Sequence, residues 1–194
     1  MQDAVCYTFR GAHEAPFVHS NAQFDTAYSN LPPVVVGPVR LTPTTTPFTC
    51  FWMKHVSRRT HGGMQCIPPP LPVPPDTYNT WCGLRAERLL GKYEYSQAKV
   101  DRMIFHNSVL VDHNADCLNF QLQWQAQIIQ RPGVLSGVAI VTQGKQGCRK
   151  TVYVDEFFGA LVVGRRFFSA CNAKTAFGHF NAKQNGKVLV SLPE

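Results

Sequence analysis

From Met103 onward, apolar and β-branched residues fall into short runs at 103–111, 120–129, 134–142, 151–158, 161–169, 176–180 and 187–192. Turn chemistry separates them: residues 112–116, Arg131-Pro132-Gly133, residues 143–147 and Asn185-Gly186 supply the Gly, Pro, Asn and Asp that tight reversals need. Asn185-Gly186 is a type I′ hairpin signal, because both central residues of that turn take positive φ. The pattern predicts a mainly β fold, an antiparallel sheet closing into a small OB-like barrel over 103–194, with no internal repeat.

The first part of the chain has a different texture. Residues 1–75 form a long Pro-rich N-terminal extension, in which Pro16, Pro32, Pro33, Pro38, Pro43 and Pro47 interrupt runs such as Val34-Val35-Val36. Residues 50–57 read as one strand, followed by the basic, glycine-containing patch from Arg58 to Gly63. Six prolines in the nine residues 67–75 predict an extended polyproline arm and the best linker candidate. Residues 76–102 read as a helical connector: Asp76 or Thr77 caps one helix over 80–95, with Trp81, Leu84, Arg88, Leu89 and Leu90 in an amphipathic pattern and Gly91 as its weak point.

A hydrophobic share of 44% excludes wholesale disorder, and the longest apolar runs, such as 160–163, are far too short to cross a bilayer. No membrane is expected as a partner. The first twenty residues carry Asp3, His13, Glu14 and His19, which is unlike a secretory signal. Seven scattered cysteines without a CxxC pair argue against a disulfide framework or zinc knuckle, and for reduced thiols. The net charge of +7 is uneven: from Val134 onward Lys145, Arg149, Lys150, Arg165, Arg166, Lys174, Lys183 and Lys187 face only Asp155, Glu156 and Glu194. Such a local excess favours a polyanion.

Enzyme signatures do not stand out. There is no GxxxxGK[ST] phosphate loop, no GxGxxG, no HExxH and no GxSxG elbow. His106 and His113, near Asp112 and Asp116, lack a recognised ligand spacing, so no metal and no cofactor are expected. Cys82 at a helix start, with His179 on a late strand, gives the layout of a papain-like cysteine protease, without a convincing orienting Asn or Asp.

Basic and aromatic residues interleave in the last third. A strand from Gly137 to Val141 leads into a basic loop carrying Lys145 and Arg149, then Lys150-Thr151-Val152-Tyr153-Val154. Further on, Gly164-Arg165-Arg166-Phe167-Phe168 precedes Lys174-Thr175-Ala176-Phe177-Gly178-His179-Phe180. Cations beside rings suit phosphate contacts and base stacking. The order of strand, basic loop, Lys-Thr strand, basic connection, Lys-Thr strand ending in histidine and Gly186-x-Val188-x-Val190 resembles small-subunit ribosomal protein seventeen. Lys187 stands where that family usually has Asp, and the chain is one barrel strand short.

The resemblance implies an OB-type barrel bound to ribosomal RNA in the small subunit, with neighbouring ribosomal proteins as further partners. It implies no enzymatic activity and no small-molecule substrate. Its RNA contacts would be Lys145, Arg149, Lys150, Arg165, Arg166, Lys174, His179 and Lys183. The added N-terminal segments suggest a mitochondrial ribosome. Two other expectations remain open: a β-rich viral coat or similar assembly protein, and the protease using Cys82 and His179.

Overall fold

The computed structural model describes residues 5–8, 16–36, 44–145, 147–178 and 184–193. It contradicts the mainly β, OB-like expectation: the chain is 42% helical and 14% strand, with 7 helices among the described residues. No barrel closes, since every sheet there has two strands. The chain divides into two compact units, residues 1–62 and 63–194.

In the first unit β1 (Val5–Thr8) pairs antiparallel with β2 (Phe17–Ser20), and helix α1 (Asn21–Ala27) follows at once. Ser20 ends the strand and caps the helix. Its Oγ accepts from Gln23 N at 3.3 Å, and its own N–H donates to Gln23 Oε1 at 2.9 Å, so two end donors are satisfied reciprocally. After the antiparallel pair β3 (Val34–Val36) and β4 (Thr44–Thr46) comes α2 (Phe48–Lys54), where a strand over 50–57 was expected. Pro47 opens α2 and its carbonyl accepts from Phe51 N at 3.0 Å. The helix places Trp52 against the buried Phe24 ring, centroids 5.1 Å apart, and that packing outweighs a local apolar run.

The second unit opens with β5 (Gly63–Gln65) parallel to β6 (Thr77–Asn79). The proline-rich segment is the link between them, and Asn79 fastens it by accepting from Ile67 N at 2.9 Å and donating to Ile67 O at 2.8 Å. The single helix expected over 80–95 is only α3 (Arg85–Leu89). Two long helices follow, α4 (Gln97–Leu110) and α5 (Ala115–Gln130), where strands over 103–111 and 120–129 were expected.

The physical reason lies in which residues they bury. Residues 120–129 alternate Phe-Gln-Leu-Gln-Trp-Gln-Ala-Gln-Ile-Ile, the two-residue period of a strand. The residues buried in α5 are Gln121, Gln125 and Ile128, a helical spacing carried mostly by polar side chains. They face Asn107 of α4, which is fully buried: Gln121 Nε2 and Gln125 Nε2 donate to Asn107 Oδ1 at 2.8 and 3.2 Å. Asn114 adds an N-cap by accepting from Cys117 N at 2.9 Å.

Residues 150–151 begin a helix that continues as a π-helix, Val152–Gly164, replacing the strands expected over 151–158 and 161–169. Tyr153, Phe158 and Val163 are buried at intervals of five residues. An i→i+5 helix keeps that spacing on one side, whereas about 3.6 residues per turn would spread it around the helix. Phe158 and Val163 join Leu84, Ile128, Phe167 and Leu189 in the core.

After the π-helix, β7 (Phe168–Ala170) leads to α6 (Ala173–Phe177) and then β8 (Leu189–Ser191). The described part of the strand expected over 176–180 is therefore helix and bend; the strand expected over 187–192 is present as β8. Asn185-Gly186 does turn the chain, with Gly186 at φ 72 and Lys187 N donating to Gln184 O at 3.0 Å. Among the described residues no hairpin forms there; β8 instead pairs parallel with β7, in the register Phe168↔Leu189 and Ser169↔Val190. Parallel neighbours with a helix between them form a β–α–β unit.

Candidate functional site

The densest basic cluster lies where the chain enters the π-helix. Trp124 of α5 tethers the approach, its Nε1 donating to Ser136 Oγ and to Val138 O, both at 3.2 Å. The strand expected over 134–142 is not formed; these residues run as irregular backbone to Gly144. From Gly144 the sequence is Gly-Lys-Gln-Gly-Cys-Arg-Lys-Thr, and the helix begins at Lys150.

Two residues of this loop adopt left-handed backbone, Gly147 at φ 93 and Arg149 at φ 58. Glycine takes that conformation freely and arginine does not. The first helical bond runs from Tyr153 N to Arg149 O at 3.0 Å. The N–H groups of Lys150, Thr151 and Val152 precede it and stand at the positive end of the helix dipole. Lys150 curls back so that Nζ donates to Gly144 O at 2.8 Å, and Cys148 Sγ donates to Lys145 O at 3.1 Å. Both contacts draw the two ends of the loop together.

The start of the helix is anchored from below. Tyr153 OH donates to Gln125 Oε1 at 3.0 Å and accepts from Asn107 Nδ2 at 2.6 Å, tying the π-helix to α4 and α5. Burial pushes the Tyr153 phenol above its ordinary pKa, an effect its bonds to Asn107 and Gln125 partly oppose.

Of the expected RNA contacts, Lys145, Arg149 and Lys150 come together in this loop, with Lys145 and Arg149 exposed. Arg165 and Arg166 lie past the other end of the π-helix. Arg165 is exposed, while Arg166 turns inward: its guanidinium donates to Thr80 O at 2.6 Å and Cys82 Sγ at 3.4 Å and lies 5.5 Å from the Phe167 ring centre. Lys187 donates to the carbonyls of Arg166 and Arg165 at 2.7 and 3.3 Å, and burial, with Arg166 nearby, lowers its pKa. Lys174 is exposed on α6. His179 and Lys183 lie outside the described residues.

Cys82 precedes α3 by three residues and is engaged by Arg166. Nearby Cys66 has its thiol pushed up, first by burial. His106 stacks on Tyr153 at 5.3 Å, and His113 Nδ1 lies 3.2 Å from Ser108 Oγ. Among the described residues no group of three His, Cys, Asp or Glu side chains gathers as a metal site. A hollow of about 550 Å³ between α3 and the π-helix is lined by apolar side chains such as Leu89, Leu90, Tyr93, Phe157 and Leu161.

The loop carries a signal that a search for the complete motif passes over. Gly144-x-x-x-x-Arg149-Lys150-Thr151 matches G-x-x-x-x-G-K-[ST] at every defined position except the second glycine. The residue at that position has the left-handed backbone that glycine favours. The departure from the motif is that one residue, and a helix starts at the motif's lysine. No family model, curated protein or solved structure matches this chain.

Proposed function

We propose that residues 144–151 form a phosphate-binding loop and that the second unit is a nucleoside-triphosphate-binding module of a protein acting on nucleic acid. The observation that carries this reading is the Lys150-Thr151 pair at the first turn of a helix, behind a loop that starts at Gly144. In such loops backbone N–H groups cradle the phosphates, the lysine reaches the terminal phosphates and the hydroxyl lies beside them. Lys150 already spans this loop, so exchanging the Gly144 carbonyl for a phosphate oxygen needs a side-chain rotation only.

One neighbouring feature accompanies it. The loop leads into the π-helix, which is followed by the parallel pair β7 and β8.

Nucleic acid enters through charge. Arg165 and Lys174 are exposed bases away from the loop, and with the overall +7 they remain proposed contacts for RNA. The ribosomal reading drew its support from a barrel, and the described residues form only two-stranded sheets.

The test is fluorescence anisotropy with N-methylanthraniloyl-ATP. Saturable binding, displaced by ATP and by tripolyphosphate and weakened about tenfold or more in Lys150→Ala, supports the proposal. Absence of saturable binding, or equal binding by Lys150→Ala, removes it.

A further inference from the structure

Two half-buried thiols of the second unit, Cys66 and Cys82, meet at one guanidinium, and the phosphate-loop reading uses neither. Cys66 directly follows β5, and Cys82 lies three residues past β6. The parallel pairing of these strands brings the two backbones together. Thr80 donates to Gln65 O from its N–H at 2.8 Å and from Oγ1 at 3.3 Å. Asn79 Oδ1 accepts from both Ile67 N and Trp81 N, at 2.9 and 3.0 Å. Each cysteine is therefore next in the chain to a residue held at the same amide oxygen.

The surroundings of the two sulfurs differ. Arg166 places Nη1 3.4 Å from Cys82 Sγ, while its Nη2 is fixed by donating to Thr80 O at 2.6 Å. A guanidinium so placed can donate to an oxygen that gains negative charge at that sulfur. Cys66 is held differently: burial pushes its thiol pKa up, negative charge on Cys82 acts in the same direction, and Thr80 and Arg166 oppose both. The mutual influence of the two sulfurs places them within electrostatic reach of each other. The contact of Cys66 Sγ with Gly186 O is long, at 3.9 Å, so turning this sulfur toward Cys82 costs little.

We infer that Cys66 and Cys82 form a two-electron redox couple that reacts with a hydroperoxide, Cys82 as the attacking sulfur and Cys66 as the resolving one. The Cys82 thiolate attacks the peroxide oxygen, the O–O bond breaks, and the departing oxygen takes a proton, beside the Arg166 guanidinium. Cys82 is left as a sulfenic acid. The Cys66 sulfur then attacks the Cys82 sulfur, the S–O bond breaks, and hydroxide leaves as water with the proton from Cys66. Two thiols lose two electrons, and hydrogen peroxide gains them to become two waters. The disulfide would close residues 66–82 into a loop around the proline-rich link between β5 and β6.

The experiment treats the reduced full chain with hydrogen peroxide, blocks remaining thiols with N-ethylmaleimide and digests with trypsin. Residues 60–85 hold no Lys or Arg before Arg85, so both cysteines fall in one peptide. That peptide should carry no maleimide and weigh two hydrogens less than its reduced form. Cys82 should react about tenfold faster or more than the exposed Cys50 and Cys117. Cys66→Ser should stop at a Cys82 sulfenic acid trapped by dimedone, and Cys82→Ser should leave Cys66 reduced. Both cysteines still taking maleimide once Cys50 and Cys117 are oxidised would overturn the inference. So would a disulfide from either to a third cysteine, Cys82 reacting no faster than Cys50 and Cys117, or oxidation of Cys66 in Cys82→Ser at the wild-type rate. The wild-type peptide decides the matter even if a variant misfolds, and its outcome is independent of nucleotide binding.

Discussion

Lys150 folds back over its own loop and donates from Nζ to the carbonyl oxygen of Gly144, 2.8 Å away. One partly exposed bond of this kind contributes only about 1 kcal/mol, so the free protein does not depend on it. A triphosphate that takes the ammonium should stabilise the fold by linkage, by about 2.7 kcal/mol at a hundred times its Kd. Thermal melts should therefore rise with ATP or tripolyphosphate in wild type, and Lys150→Ala should melt near the wild-type temperature while failing to respond. A variant that responds like wild type would remove Lys150 from the site.

Arg149 sits at φ 58, where a side chain costs roughly 1 kcal/mol and glycine costs almost nothing. Arg149→Gly should accordingly be more stable than Arg149→Ala by about 1 kcal/mol in urea unfolding, since glycine adopts the left-handed backbone without strain. Alanine matching glycine would mean that the left-handed backbone is not populated in solution.

The sequence made the turns and the last strand legible and hid the helices. Asn185-Gly186 turns the chain and β8 lies within 187–192, because backbone chemistry at a turn is local. In α5 the buried stripe is Gln121, Gln125 and Ile128, so a reading of apolar positions alone followed the exposed alternation instead. The glutamines are buried because Asn107, 14 and 18 residues away from them, gives them partners, and no short window along the chain contains that fact. The π-helix failed for a related reason: its β-branched and aromatic residues favour strands, and its five-residue spacing fits neither common period. Lys145, Arg149 and Lys150 were recognisable as a basic cluster, but the phosphate motif needed the knowledge that a helix starts at Lys150.

Asn107, Gln121, Gln125 and Tyr153 form a polar network in which each bond satisfies a buried group. Asn107→Ala removes partners from all three neighbours and should cost on the order of 3 kcal/mol in urea unfolding. A cost below about 1 kcal/mol would show that water replaces the amide.

Tyr153 makes the same network sensitive to alkali. Its folded pKa is raised above the ordinary 10.0, first by burial, so the folded state holds the phenolic proton more tightly than the unfolded chain does. Its contribution is complete below the unfolded pKa and is lost as pH rises through the raised folded value. Tyr153→Phe has no such proton, so the stability gap between wild type and variant should narrow above about pH 10. Cys66 and Lys187 also titrate with shifted values, but both are present in each protein and cancel in the difference. A gap that stays constant from about pH 8 to pH 11 would mean the phenol is not buried as described.

Gly159 fixes how closely the π-helix approaches β7. A Cβ at this position would fall 2.6 Å from Cε2 of the Phe168 ring, with Cδ2 and Cζ at 2.7 Å, so either the ring or the helix must move. Overpacking of this kind costs about 1–3 kcal/mol, and Gly159→Ala should fall in that range despite alanine's better helix propensity. Phe168→Leu removes the ring and should relieve the clash, so the double variant should be more stable than the sum of the two losses by about 1 kcal/mol. Because the same helix carries Lys150 and Thr151 at its start, a shifted helix should also weaken nucleotide binding in Gly159→Ala, and Phe168→Leu should restore it. Additive stabilities with unchanged binding would mean that the ring moves aside and the helix does not depend on this contact.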